Sequence, residues 1–154
     1  MEKAFKKTIL LLFVAVLSMS CEKVQTITMA MQANLNDEFF RAYSVSAQAN
    51  TNDQMITIFG RGGNNEKLVL HTQWSGATSY DIGADEVSYA TYKTADDIFY
   101  TTRSQGSSGT ITITNQDEVN QELTGEFNLV FITETDTLTV SRGMFYTVPY
   151  EITN

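Results

Sequence analysis

The sequence predicts an all-β chain, an antiparallel, meandering β-sandwich of about nine or ten strands, with a closed or half-open β-barrel as the alternative. Three observations carry this expectation. Beyond residue 21 no window repeats its apolar residues at helical spacing, whereas period-two alternation recurs throughout. Turn residues interrupt that alternation about every 8–14 residues, and the connections are shorter than the dozen or so residues that a parallel crossover requires. Ten strands laid flat would expose long edges, so the sheet is expected to curl or fold over.

In chain order, Ile27, Met29, Met31, Ala33 and Leu35 alternate with Thr28, Ala30, Gln32 and Asn34, a strand with one buried face that Asn36-Asp37 turns. Residues 38–49 read as a single second strand, ended by Asn50-Thr51-Asn52-Asp53. Residues 55–60 and 67–74 form a hairpin around Gly60-Arg61-Gly62-Gly63-Asn64-Asn65, and Gly76 ends it. Short strands follow at 79–82, 87–93 and 98–103, and residues 104–109 have the composition of a flexible loop. Thr110-Ile111-Thr112-Ile113-Thr114 alternates strictly in β-branched residues, which suit a half-buried pleated surface. The chain returns over 121–132 with Leu123, Phe127, Leu129 and Phe131 on one face, then runs over 137–148 to Pro149. Gly125 and Gly143 stand inside these last two strands, where glycine predicts a bulge or a bend.

Residues 1–20 read as an export signal. Lys3, Lys6 and Lys7 form a basic head, Thr8 to Leu17 is an apolar run, and Ser18 and Ser20 lead to Cys21. The 13 residues from Thr8 to Ser20 fall short of the roughly 20 that a membrane-spanning helix needs. Cys21 is the sole cysteine, an oddity in an exported chain, where cysteines usually pair. The run Leu17-Ser18-Met19-Ser20-Cys21 resembles the lipobox of bacterial lipoproteins, with Met19 where a smaller residue is usual. That resemblance implies lipidation of Cys21 and anchorage in an outer membrane, facing the periplasm or the outside. Several acyl chains hold a protein on a bilayer stably, since each buried CH₂ contributes ~0.8 kcal/mol. Residues 21–26 then form a short linker, whose five residues after the cysteine reach at most about 17 Å.

Loss of residues 1–20 leaves 134 of 154 residues, enough for a single domain over 27–154 that needs neither disulfide nor metal to support its core. It also moves the charge from −8 to −10, because the leader holds three lysines and one glutamate. Nucleic acid and anionic lipid are therefore not expected partners, since both favour a Lys/Arg stripe.

Several runs together resemble an uncharacterised family of small all-β lipoproteins from Bacteroidota. They are Met29-Ala30-Met31-Gln32-Ala33-Asn34-Leu35-Asn36 with Phe40 and Ala42, Ile56-Thr57-Ile58-Phe59-Gly60, Tyr80-Asp81-Ile82-Gly83, Ser108-Gly109-Thr110-Ile111-Thr112-Ile113-Thr114, Thr124-Gly125-Glu126-Phe127 and Arg142-Gly143-Met144-Phe145. The likeness is one of strand and turn punctuation; it implies fold and compartment and no activity. This chain departs from the pattern at Asn36-Asp37, where Asn-Gly is usual, and at Glu126, where Thr is usual.

Few residues suggest chemistry. His71, the sole histidine, reads as a surface or half-buried strand residue, and no G-x-S-x-G nucleophile elbow is present. Asp85-Glu86, Asp96-Asp97 and Asp117-Glu118 fall in turns without the spacing of a calcium loop. Gly60-Arg61-Gly62-Gly63 has the composition of an anion-binding nest but joins two strands, as a hairpin loop does. Trp74 and Tyr80 are the candidate ligand-binding residues, since tyrosine and tryptophan offer large contact area with a polar tip. No catalytic residue, metal set or cofactor is expected. The expected function is a lipid-anchored binding or structural module of the cell envelope with a carbohydrate or protein partner. A barrel carrying a small apolar ligand is the alternative, and a carbohydrate-active enzyme comes third.

Overall fold

The computed structural model describes residues 29–153; the leader, Cys21, the linker and the first two residues of the expected first strand lie outside them. Eleven strands make the chain almost entirely β. They are β1 (Ala30–Leu35), β2 (Glu38–Arg41), β3 (Ser44–Asn50), β4 (Met55–Arg61), β5 (Lys67–Gln73), β6 (Ser79–Gly83), β7 (Tyr89–Lys93), β8 (Phe99–Thr101), β9 (Ser108–Asp117), β10 (Glu122–Ile132) and β11 (Thr137–Thr153). Among the described residues a single 3-10 turn, Gly63–Asn65, interrupts the strands.

The strands form one continuous sheet in the order β6-β9-β10-β11-β3-β4-β5-β7-β8, with β1 attached to β11 and β2 to β1. It curls into a half-open barrel, the alternative form expected above. Two separate stacked layers are not available, because β11 is shared. Its residues 137–149 pair with β10, its residues 140–146 also pair with β1, and its residues 150–153 pair with β3.

Three departures from the expected elements share one cause, a change of partner. Residues 38–49 are two strands, because Arg41 pairs with Gln32 of β1 and the next residues move across to β4. Ala42 N donates to Met31 O at 2.9 Å, and Tyr43 N donates to Arg61 O at 2.8 Å. The last strand runs through Pro149, which lacks an N–H but stands where β11 leaves β10 for β3, a place where a missing donor is tolerated. The β11–β3 ladder is parallel, the one parallel ladder among the described residues, beside an isolated parallel bridge of Ile82 with Ser88. Parallel pairing requires a long connection, and here everything from β4 to β10 supplies it. Ser108 and Gly109, expected in a loop, are strand residues paired to Val130 and Leu129.

The curl originates in two bulges of β11 against β10. Thr124 faces both Tyr146 and Thr147, between the pairs Leu123 with Val148 and Gly125 with Phe145. Asn128 likewise faces both Ser141 and Arg142, between Phe127 with Gly143 and Leu129 with Val140. The second residue of each bulge is left-handed, with φ 45° at Thr147 and 52° at Arg142. Its N–H donates to the side chain it faces, Thr147 N to Thr124 Oγ1 at 3.1 Å and Arg142 N to Asn128 Oδ1 at 3.2 Å. Each bulge bends and twists the strand. Between them the two glycines leave room for rings: a Cβ on Gly125 would overlap Phe145, and one on Gly143 would overlap Phe127. The two rings stack with centroids 6.5 Å apart.

The end that holds the β1–β2, β4–β5, β7–β8 and β10–β11 turns is called lower here, and the end with the β3–β4, β5–β6 and β9–β10 turns upper. Phe127, Phe131, Phe145, Ile58, Leu70 and Ile111 fill the interior. The lower mouth is plugged by successive ring contacts of Phe40 with Tyr92, Tyr92 with Tyr100 and Tyr100 with Phe131, at 6.1 to 6.3 Å. Tyr92 Oη donates to Glu66 Oε1 at 2.6 Å and Tyr100 Oη to Asp136 Oδ2 at 2.7 Å, so the plug is satisfied at its polar tips.

If the paired glycines set the curl, Gly125→Ala and Gly143→Ala each destabilise the fold by about 1–3 kcal/mol through overpacking. Gly63→Ala, where a Cβ meets nothing within 4 Å, stays within about 0.5 kcal/mol of wild type. Urea unfolding of the three variants measures this, and equal midpoints for all three would contradict it.

Candidate binding cleft

At the upper end three turns and the end of β9 meet around Trp74. The β3–β4 turn is fixed by its own side chains, Asn50 Oδ1 accepting from Asn52 N at 2.9 Å and Asp53 Oδ1 from Met55 N at 3.1 Å. Gln54 O then accepts from Trp74 N at 2.7 Å, joining that turn to the next. The indole packs edge-on against Tyr150, 5.8 Å between centroids and 68° between planes. Thr51, Gln54, Trp74, Ser75, Gln116 and Glu118 line a cleft of ≈ 440 Å³.

Its polar groups are incompletely paired. Trp74 Nε1 and Gln116 Oε1 are buried without a hydrogen-bond partner among the described residues. Burial raises the pKa of the Tyr150 hydroxyl above the ordinary phenol value and the Glu118 carboxylate adds to the shift, while a hydrogen bond with the Gln116 side chain opposes it. The cleft wall thus leaves one donor and one acceptor unused, with the buried Tyr150 ring packed behind the indole.

Of the two residues expected to bind ligand, Trp74 forms the wall and Tyr80 stands behind it. Tyr80 is buried, and its hydroxyl accepts from Ser75 N at 3.1 Å and lies 2.8 Å from Ser75 Oγ. It is a positioning residue for the Trp74-Ser75 turn. The sequence does not single out Gln116 or Tyr150 and points to Glu118 only as half of an acidic turn; all three stand far from Trp74 in the chain, and only the register of β9 and β11 and the turn after β9 bring them to it.

The remaining candidates disperse. His71 lies half-buried on the outside of the sheet, its ring stacked 4.2 Å from Tyr89 and its Nδ1 3.0 Å from Thr57 Oγ1. Asp117 caps its own turn, accepting from Val119 N and Asn120 N at 2.9 Å and from Asn120 Nδ2 at 2.7 Å, which lowers its pKa. Gly62 N, a donor the anion nest would need, donates instead to Glu66 O at 2.9 Å. Among the described residues no group of three or more His, Cys, Asp or Glu could hold a metal ion. A second cleft of ≈ 360 Å³ lies at the lower mouth beside Glu66, Tyr92 and Tyr100. There the two tyrosine hydroxyls are already paired with carboxylates, so the upper cleft is the better candidate.

Residues 27–149 match the family described as Domain of unknown function (DUF6252). No curated protein and no solved structure matches the chain.

His71, as the sole histidine, can be followed by proton NMR without further assignment. Burial first, then the Arg103 and Lys67 charges, lower its pKa from 6.5 to about 4. An unfolded chain takes up this proton near pH 6.5 and the folded chain only near 4, so the contribution to stability is present above pH 6.5 and is lost as pH falls towards 4. The expected midpoint is near 4, and Arg103→Gln raises it. A wild-type midpoint at the ordinary value of 6.5 would show that the ring is not desolvated.

Proposed function

From the premise that the chain belongs to the DUF6252 family, described only as a domain of unknown function, we propose that it is a lipid-anchored, non-catalytic binding module of the cell envelope. Its ligand is rich in hydroxyl groups, as a neutral carbohydrate is, and binds in the Trp74 cleft. The observation that carries this reading is the pair of unused groups, Trp74 Nε1–H and Gln116 Oε1. A buried donor or acceptor left unpaired costs about 1–3 kcal/mol, and a ligand that supplies both partners recovers that cost. A hydroxyl is donor and acceptor at once, and the indole face adds apolar contact. The anchor rests on the leader and on the resemblance of Leu17 to Cys21 to a lipobox. The ring-filled barrel axis favours a surface binder over a carrier of apolar molecules.

Trp74 is the sole tryptophan, so its fluorescence reports on the cleft directly. Titration of the mature protein with a panel of neutral oligosaccharides is expected to shift that emission for at least one class. Gln116→Leu should weaken the binding about tenfold, or ~1.4 kcal/mol. Silence across the panel would reject the cleft reading. The anchor is tested separately by intact mass from the native membrane: diacylglyceryl mass on wild type and its absence in Cys21→Ala support it, and an unmodified wild type rejects it.

A further inference from the structure

The outward face of β3, β4, β5, β7 and β8 is cationic in an otherwise acidic chain. These five strands carry no Asp or Glu. Their register sets the outward residues in rows. The lowest row runs Ser44, Arg61, Lys67, Lys93, Phe99, and a higher row runs Gln48, Thr57, His71, Tyr89. The Arg103 guanidinium continues the higher row, 4.0 Å over the Tyr89 ring. Arg41 and Arg142 are the only other basic residues from 29 to 153.

Arg61, Lys67 and Lys93 are thus direct cross-strand neighbours, and like charges so placed destabilise a sheet. Neighbouring strands lie about 4.8 Å apart, so the three cations form a ladder with roughly that spacing. Among the described residues Lys93 pairs with Asp97, while Arg61 and Lys67 have no carboxylate partner. They line a cleft of ≈ 230 Å³ together with Tyr43, Asn65, Glu66 and Lys93. The Glu66 carboxylate is engaged by the Tyr92 hydroxyl. Exposed rings flank the ladder, Tyr43 at 74% exposure near one end and Phe99 at 60% at the other.

We propose that this face binds a linear polyanion, an acidic polysaccharide lying across the strands, whose acid groups meet Arg61 and Lys67 in succession while its end sugars rest on Tyr43 and Phe99, with Lys93 held by Asp97 at the margin of the site. Sugar units that repeat at roughly the 5 Å strand spacing match the ladder. A charged bilayer fits less well, because a flat surface pressed on this row also meets Asp96 and Asp97 in the adjoining turn; a single chain avoids them. This site lies at the opposite end of the strands from the Trp74 cleft and does not rest on that reading.

The probe is oligogalacturonate, with its fully methyl-esterified form as the uncharged control, titrated calorimetrically into the mature full chain at several salt concentrations. Wild type is expected to bind the acid and not the ester, with an affinity that falls as salt rises. The Arg61→Gln/Lys67→Gln variant is expected to bind at least tenfold more weakly. Its thermal midpoint is expected to equal or exceed that of wild type, since a like-charge contact is removed, and Gln116→Leu is expected to bind the acid as wild type does. Failure of folded wild type to bind the acid overturns the proposal, as does equal binding by the double variant or of the ester. So does tighter retention on phosphatidylglycerol vesicles or on single-stranded DNA.

Discussion

The double bulge of β11 is the constraint on which the rest depends. A strand of 17 residues that stayed straight would extend one flat sheet. Two bulges coil it, so that its first part lies between β10 and β1 and its last residues reach β3. The side-chain oxygens of Thr124 and Asn128 hold the bulged N–H groups, and the reciprocal packing of Phe145 on Gly125 and Phe127 on Gly143 fills the inside of the bend. Without that coil β3 has no parallel neighbour and the barrel no second wall.

The two ends follow from the same coil. Below, the aromatic series from Phe40 to Phe131 closes the mouth with its hydroxyls paired. Above, β11 continues past Pro149 and carries Tyr150 to the Trp74 ring. The upper cleft therefore exists because β11 does not stop at its proline. One end of the barrel is sealed by the protein's own side chains, and the other retains groups that they do not satisfy.

Alternation made the fold class legible, and glycine made the bulges legible, because burial and backbone crowding act on neighbours in sequence. Turn chemistry was legible for the same reason: Asn36 and Asp37 both take positive φ, as a two-residue hairpin requires. Changes of partner were not legible. In the run from Glu38 to Ala49 the one mark of the exchange of β1 for β4 is a slip in phase, from buried Phe40 and Ala42 to buried Val45, Ala47 and Ala49, and a slip alone does not say which strand is the new partner. Composition points to both Trp74 and Tyr80 but does not separate a residue on the cleft wall from its buried support. The cationic row was hidden for a further reason. Net charge averages over the surface, while Arg61, Lys67 and Lys93 become neighbours only through the pairing of β4, β5 and β7.

Places where a chain breaks a local rule need sorting before function is read from them. Thr147 breaks two, a β-branched residue at φ 45° with a buried, unpartnered hydroxyl. The fold explains it, because the bulge opposite Thr124 needs that conformation there. The unpaired Trp74 Nε1 and Gln116 Oε1 have no such explanation, since neither stands at a bulge or a change of partner. Nor does the cation ladder: a glutamine at Lys67 would keep the strand, its alternation and its register while removing the repulsion, and would give up only the contact of Lys67 Nζ over the Phe59 ring at 5.3 Å. Violations that the architecture requires are structural, and those it would be more stable without are where selection for binding leaves its mark. By that criterion the proposed sites at the Trp74 cleft and along the Arg61-Lys67-Lys93 row are where binding is to be tested, and the strained Thr147 belongs to the scaffold.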